Sequence, residues 1–391
     1  MNHVKVITTL HNNVRQKRPS KDPSNPSRRL PTRCLSPPSL SEEGDDDTPP
    51  TKKAKSNKNN DIITEMRLGR RAPEFLPSCN ASILLQPKFR PALDNLIQLS
   101  LYDCGLSSLA GIEVHPTNDD DNGRNITMTL FPKLEQLDIG RNPKLTNDSL
   151  PDSFHTQFPS LLELWCDDCS FGPTIPNTLL QMHHVHVVRM TMNKLEGQLE
   201  QGIGIKYWNH IRVLAMDGNK LDSVGKGIGR LEYLEKLHLR QNKLRLLPEG
   251  VPSAGNTSLT MLCLSSNLLT SLPKSILDVA DTLTELYVNG NQLETLPEGL
   301  AQTCTWLQKF NVAHNNIDKE ESLPKDFVMR FGLPDVVSGQ CTKDEACVVR
   351  LEGNPLAERR RKAYLEEEKA KAKALEMERA AAEMEVDSDD D

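Results

Sequence analysis

Between residues 234 and 317 the chain repeats one alternation of apolar and polar positions: 234–247 reads LEKLHLRQNKLRLL, 259–272 LTMLCLSSNLLTSL, 283–296 LTELYVNGNQLETL and 307–317 LQKFNVAHNNI. The asparagines of these four segments, Asn242, Asn267, Asn291 and Asn315, lie 25, 24 and 24 residues apart. The apolar spacing L-x-x-L-x-L predicts a short strand that turns alternate side chains inward. One such strand per repeat predicts a stack of turns with a parallel sheet open on its other face. The asparagine bends the chain out of the strand, and its buried amide must find backbone partners in adjacent turns.

The full frame, L-x-x-L-x-L-x-x-N-x-L at a period of this size, is the signature of a leucine-rich-repeat solenoid. The expected fold is therefore α/β: a curved solenoid with a parallel β-sheet on its concave face and short helices, 3-10 turns and loops on its convex face. Looser turns precede the regular ones at 96–104, 134–142, 161–169, 185–193 and 211–219, and Val349, Leu351 and Asn354 mark a last turn. The array has roughly ten turns and needs no second globular domain.

Flanking segments differ in composition. Residues 1–60 carry 12 Lys/Arg against 6 Asp/Glu and are rich in Ser, Pro and Asn, which predicts a disordered basic arm. Residues 61–356 form the repeat domain. Within it, 61–95 should cap the first sheet edge, and 318–347 is an inserted loop whose Phe327, Met329, Phe331 and Leu333 could pack as well as bind. Residues 357–391 read as a charged helix and acidic tail. Asn354 and Pro355 suit its start, but Arg359 to Lys362 oppose the helix dipole and no apolar stripe runs along it, so a solvated, fraying helix is expected.

The frame also says which side chains face outward. One column runs Ser100, Asp138, Trp165, Arg189, Ala215, His238, Cys263, Tyr287, Asn311, Arg350, and the next runs Tyr102, Gly140, Asp167, Thr191, Asp217, Arg240, Ser265, Asn289, Ala313, Glu352. Aromatics and arginines are the usual energetic anchors of interfaces. Asp138, Trp165, Asp167, Arg189, Asp217, His238, Arg240 and Tyr287 are therefore the candidate partner-binding residues. Acidic side chains gather toward the N-terminal half, with Glu163 and Asp168 among them, and Lys236, Arg240 and Lys309 follow. Such a bipolar face suits a partner of opposite charge order.

Catalytic readings find no support. Cys166 and Cys169 match C-x-x-C, but the frame assigns Cys166 to an inward leucine position and Cys169 to the asparagine position, as for Cys104, so both read as small buried hydrophobes. His183, His184 and His186 make no persuasive metal site. The chain has no phosphate-binding glycine loop, no G-x-S-x-G and no H-E-x-x-H. We expect no enzyme activity, no metal and no cofactor.

No run of about 18 apolar residues is present, and the start lacks a secretory core. Nine cysteines do not make a disulfide-capped extracellular framework. These readings place the protein in the cytoplasm, the nucleus or both, and leave the N-x-S/T triplets at Asn80, Asn125, Asn147 and Asn256 silent. Lysines 52, 53 and 55 and the cluster at 359–362 resemble nuclear-import signals. Ser36, Thr48 and Ser388 suit phosphorylation. Nucleic acid is a poor partner for a chain of net charge -7 without a basic stripe, although a nuclear chromatin- or nucleic-acid-associated role of the basic arm is the alternative to protein binding.

Four turns end in Leu247-Pro248-Glu249-Gly250-Val251, Leu272-Pro273-Lys274-Ser275-Ile276, Leu296-Pro297-Glu298-Gly299-Leu300 and Leu323-Pro324. This ending resembles the intracellular Ras-group-related leucine-rich-repeat family of scaffolds and adaptors. Residues 171–176 with Leu179 resemble the plant-type ending G-x-I-P-x-x-L, and the short acidic tail is similar to that of nuclear acidic leucine-rich-repeat proteins. The resemblance implies a monomeric, membrane-free adaptor or regulatory subunit that binds a small GTPase or a phosphatase on its concave side.

Overall fold

The computed structural model describes residues 64–68, 93–110, 112, 129–200 and 202–386. Its strands are β1 (Glu65–Arg67), β2 (Gln98–Ser100), β3 (Gln136–Asp138), β4 (Glu163–Trp165), β5 (Val187–Arg189), β6 (Glu196–Leu199), β7 (Val213–Ala215), β8 (Lys220–Val224), β9 (Lys236–His238), β10 (Met261–Cys263), β11 (Glu285–Tyr287), β12 (Lys309–Asn311), β13 (Gln340–Cys341) and β14 (Val348–Arg350). Twelve of them form one sheet in the order β1-β2-β3-β4-β5-β7-β9-β10-β11-β12-β14-β13, while β6 and β8 pair separately. Every neighbour in the large sheet is parallel except β13 on β14. The chain is a leucine-rich-repeat solenoid.

Each three-residue strand buries its middle side chain and leaves both flanks on the open face. Leu164, Val188, Leu214, Leu237, Leu262, Leu286 and Phe310 are all almost fully inaccessible. The turn back uses short 3-10 or α segments, such as Lys274–Val279 opened by Pro273 and Leu300–Thr303 opened by Gly299. Leu247, Val251, Leu272, Ile276, Leu296 and Leu300 are buried there. The L-P-x-x-[ILV] ending thus records how the chain re-enters the core on the convex side.

The asparagines hold neighbouring turns together. Asn267 donates to the carbonyls of Leu239 and Leu264, both at 2.9 Å, and accepts the N–H of Leu244 at 3.1 Å. Asn242 repeats the arrangement one turn before, and Asn291 and Asn315 one and two turns after. Where cysteine replaces asparagine the thiol is a thinner substitute: Cys169 Sγ reaches the carbonyl of Ile139 at 3.4 Å, and Cys104 Sγ that of Leu68 at 3.1 Å. The residue just before each of these positions adopts positive φ, including Arg141, Met192, Gln241, Ser266 and His314, with glycine at Gly218, Gly290 and Gly353. A left-handed residue is what swings the following side chain into the core.

The ends depart from the expectations in two places. β1 adds a further parallel strand before β2, with Met66 turned into the core, in the stretch where only a cap was expected. Residues 318–347 fold as a continuation of the core: Phe327 and Phe331 are buried, Met329 is exposed, and β13 returns antiparallel to β14. Arg330 fastens this unit, with Nε 2.8 Å from Asp344 and Nη1 on the carbonyls of Ala301 and Cys304. The terminal helix runs unbroken over Pro355–Val386. Its basic first turns are offset by carboxylates, Arg359 on Asp318 at 2.8 Å and Arg360 on Glu320 at 3.0 Å. The arm with Ser36 and Thr48, and the tail with Ser388, lie outside the described residues.

An Asn267→Ala variant should lose about 2 kcal/mol, because it leaves the Leu244 N–H buried without a partner at about 1–3 kcal/mol, while Asn242 still serves the Leu239 carbonyl. Urea denaturation reads this as a lower midpoint; an unchanged midpoint would show that the asparagine row does not carry the inter-turn contact.

Candidate functional site

The open face presents three rows of side chains in strand register. The outermost described pairing sets Glu163 beside Val187, Val187 beside Val213 and Val213 beside Lys236. The second row runs Asp138, Trp165, Arg189, Ala215, His238, Cys263, Tyr287, Asn311 on adjacent strands. The third begins just past the strands, where the N–H of Cys166 still reaches Arg189 and that of Asp168 reaches Thr191.

Trp165 and Arg189 are both half-buried, and the Arg189 guanidinium carbon lies 5.3 Å from the centre of the Trp165 ring. Arg189 Nη2 is also 2.8 Å from Asp167 Oδ2, and Asp167 Oδ1 accepts the N–H and hydroxyl of Thr191 at 2.9 and 2.8 Å. The result is a laterally braced cation on an indole. The Trp165 Nε1 atom is buried and has no hydrogen-bond partner. Across the face, Tyr287 is half-buried and donates its hydroxyl to Glu285 Oε2 at 2.8 Å, while Lys309 holds the other oxygen at 3.0 Å. Burial, and then the Glu285 carboxylate, raise the Tyr287 phenol.

The floor between these aromatics is apolar: Val187, Val213, Met261 and Cys263 are half-buried, and Ala215 is 8% exposed. Val187, Val213 and Met261 were missed by the sequence reading, which followed the outward positions after the middle leucine. The signal was available, since the residue before a buried strand position faces the same way as the residue after it.

Burial sets the ionisation of the row. It raises Asp138 and Glu163, and it takes Asp217 up to about 6, against the Arg240 N–H that its Oδ1 accepts at 2.6 Å. Burial also lowers His238 to about 4, helped by Lys236 and Arg189, so its imidazole is neutral at pH 7. His238 therefore extends the apolar floor rather than the basic half. Arg240 is exposed and Lys236 half-buried, and neither makes an ion pair among the described residues. Asp138 accepts from Ser100 and Gly140 at 3.0 Å each.

On the convex side a cavity of about 580 Å³ opens between turns, lined among others by Asn147, Asp152, Asn177, Glu200 and Tyr207. It collects none of the predicted side chains. Cys166 and Cys169 are buried, and burial drives both thiols upward, Cys169 to about 12. Among the described residues no group of His, Cys, Asp or Glu is arranged to hold a metal ion, and no helix is long and apolar enough to cross a membrane.

No protein-family profile matches the chain. It is similar to bovine (Bos taurus) osteomodulin, 22% identical over 201 residues, which covers 49% of this chain and 44% of osteomodulin. It is also similar to podocan-like protein 1 of Mus musculus, 26% identical over 227 residues, covering 54% of this chain and 38% of that one. The chain thus spans less than half the length of these curated relatives. Among solved structures, the Arabidopsis receptor kinase HAESA in complex with the peptide hormone IDA and a co-receptor matches with a TM-score of 0.48 at 20% identity, over 67% of this chain and 40% of that one.

These matches correct three expectations. Most of the curated relatives matched, osteomodulin and podocan-like protein 1 among them, are extracellular leucine-rich-repeat proteins, so the assignment to an intracellular Ras-group-related family, and to the cytoplasm or nucleus, does not stand. A nuclear role of the arm falls with it. The picture of a monomeric, membrane-free binder of a small GTPase or a phosphatase came with that family resemblance and does not stand either. The physical reason is that the L-P-x-x-[ILV] ending reports convex-side packing, which is indifferent to compartment. Of the N-x-S/T triplets, those at Asn147 and Asn256 lie on described residues. Asn256 is 1% exposed and spends its amide on the carbonyls of Ile228 and Leu231, so the fold closes it. Asn147 is half-buried with its amide on the Thr174 carbonyl; Asn80 and Asn125 lie outside the described residues.

Asp217 binds its proton more tightly in the folded chain than the ordinary carboxylate value allows unfolded. Its contribution is therefore most favourable at low pH and is lost as pH rises through about 6. Asp217→Asn should raise the melting temperature at pH 7.5, and the gain should vanish near pH 4; a gain independent of pH would contradict the assignment. Cys263, half-buried with its thiol raised by burial, should alkylate faster than Cys104, Cys166, Cys169, Cys304, Cys341 or Cys347, and faster still at higher pH. Peptide mass mapping after short exposure checks the order.

Proposed function

We propose that this solenoid is a non-catalytic binding module that holds a protein partner on its concave sheet face. Trp165, braced by Arg189 and Asp167, would serve as one anchor and Tyr287 as the other, with Asp138, Asp217, His238 and Arg240 shaping the surface between them. The observation that supports it most is the Trp165–Arg189–Asp167–Thr191 cluster. It places a large aromatic and a cation on an open face in a fixed arrangement, so little side-chain freedom is lost on binding.

Two further features fit this reading. The apolar floor of Val187, Val213, Ala215 and Met261 gives burial energy at the centre, and charged side chains surround it, which is the usual anatomy of a protein interface. HAESA, a protein with the same type of fold, is solved with a peptide hormone and a co-receptor. An adaptor role, joining that partner to another, is part of the proposal.

Affinity capture with the wild-type chain beside a Trp165→Ala/Tyr287→Ala double variant tests it. We expect the variant to lose a partner retained by the wild type, with affinity down by about 2 kcal/mol or more and an unchanged melting curve. Identical capture by both chains would remove the concave face from consideration.

A further inference from the structure

The first outward row contains a charge pattern with a measurable length. Glu163, Val187, Val213 and Lys236 stand side by side in register on β4, β5, β7 and β9, all half-buried. Glu163 and Lys236 make no ion pair among the described residues, whereas the neighbouring charges are already matched, Arg189 on Asp167 and Lys309 on Glu285. Burial raises the Glu163 carboxyl and the nearby Arg189, already paired with Asp167, offsets this only in part, so a further cation would stabilise its anion.

Three strand steps of about 4.8 Å separate Glu163 from Lys236 by about 14 Å. An extended chain rises about 3.3 Å per residue and points residues i, i+2 and i+4 to one side, so i and i+4 are about 13 Å apart. The two lengths agree. A segment laid along the strands instead would leave a three-residue strand within about 10 Å, so the crossing direction is the one that uses the row.

Resting on the concave-face reading above, we propose that this face takes an extended polypeptide segment lying across β4, β5, β7 and β9. The segment sets a basic side chain on Glu163, an apolar side chain two residues along on Val187 and Val213, and an acidic side chain four residues along on Lys236. Either chain direction satisfies the pattern, because spacing and not polarity is what the row defines. Arg240, exposed in the third row next to Lys236's strand, adds to the field at the acidic end.

The test uses the full chain and capped, labelled seven-residue peptides read by fluorescence anisotropy. The matched peptide carries lysine, leucine and aspartate at its second, fourth and sixth positions among serines, and its isomer carries the same residues with the two charges adjacent. We expect the matched peptide to bind about tenfold more tightly. Lys236→Glu, with its fold checked by circular dichroism, should lose that preference and favour a peptide with lysine at both ends. Equal binding of the two isomers, no binding at about 1 mM, or an unchanged preference in Lys236→Glu would overturn the inference. If capture of the partner is lost in Trp165→Ala/Tyr287→Ala but kept in Lys236→Glu, this spacing rule falls while the concave-face reading stands.

Discussion

Most turns of this solenoid are tied to their neighbours by one buried amide, with a cysteine thiol in its place at Cys104 and Cys169. Asn267 illustrates the constraint: its side chain reaches one carbonyl of its own turn and one of the turn before, and accepts an N–H from that earlier turn. Because each amide spans two turns, no turn is satisfied alone, and stability is a property of neighbours. The left-handed residue before it, Ser266 in this turn and Gly290 in the next, aims the amide inward. Leucines supply the burial energy, but the amide fixes the offset between turns and hence the strand register.

That register is what makes a candidate site possible. Since each strand contributes only three residues, a surface of useful size exists only if flanking residues from many strands align. They do, and side chains distant in sequence become lateral neighbours: Arg189 covers Trp165 and grips Asp167. The same alignment buries charge partly without covering it, which is why Asp217 and His238 shift in the directions that favour their neutral forms.

Much of the fold was legible because its cause is periodic. The repeat frame predicted β2, β3, β4, β5, β7, β9, β10, β11, β12 and β14, and the cysteine substitutions at Cys104 and Cys169 were placed correctly as buried groups from the frame alone. The pairing strand at Met66 was not legible, since the segment around it lacks the repeat and acquires strand form only by lying on β2. Phe327 and Phe331 were equally ambiguous, because an apolar residue in an insertion can face the core or a partner until the neighbouring surface is known. The family was read from turn endings whose chemistry answers to packing, the compartment from the lack of a secretory core and a disulfide framework, and the matched proteins corrected both.

Sequence by itself determined the solenoid, its repeat length and the inward position at the middle of each strand, because these follow from local spacing and side-chain type. Tertiary structure decided which outward residues act together. Whether Arg189 belongs to Trp165, whether His238 is charged and whether Lys236 is free all depend on distances and burial set by adjacent turns about 24 residues away, and no local pattern encodes them.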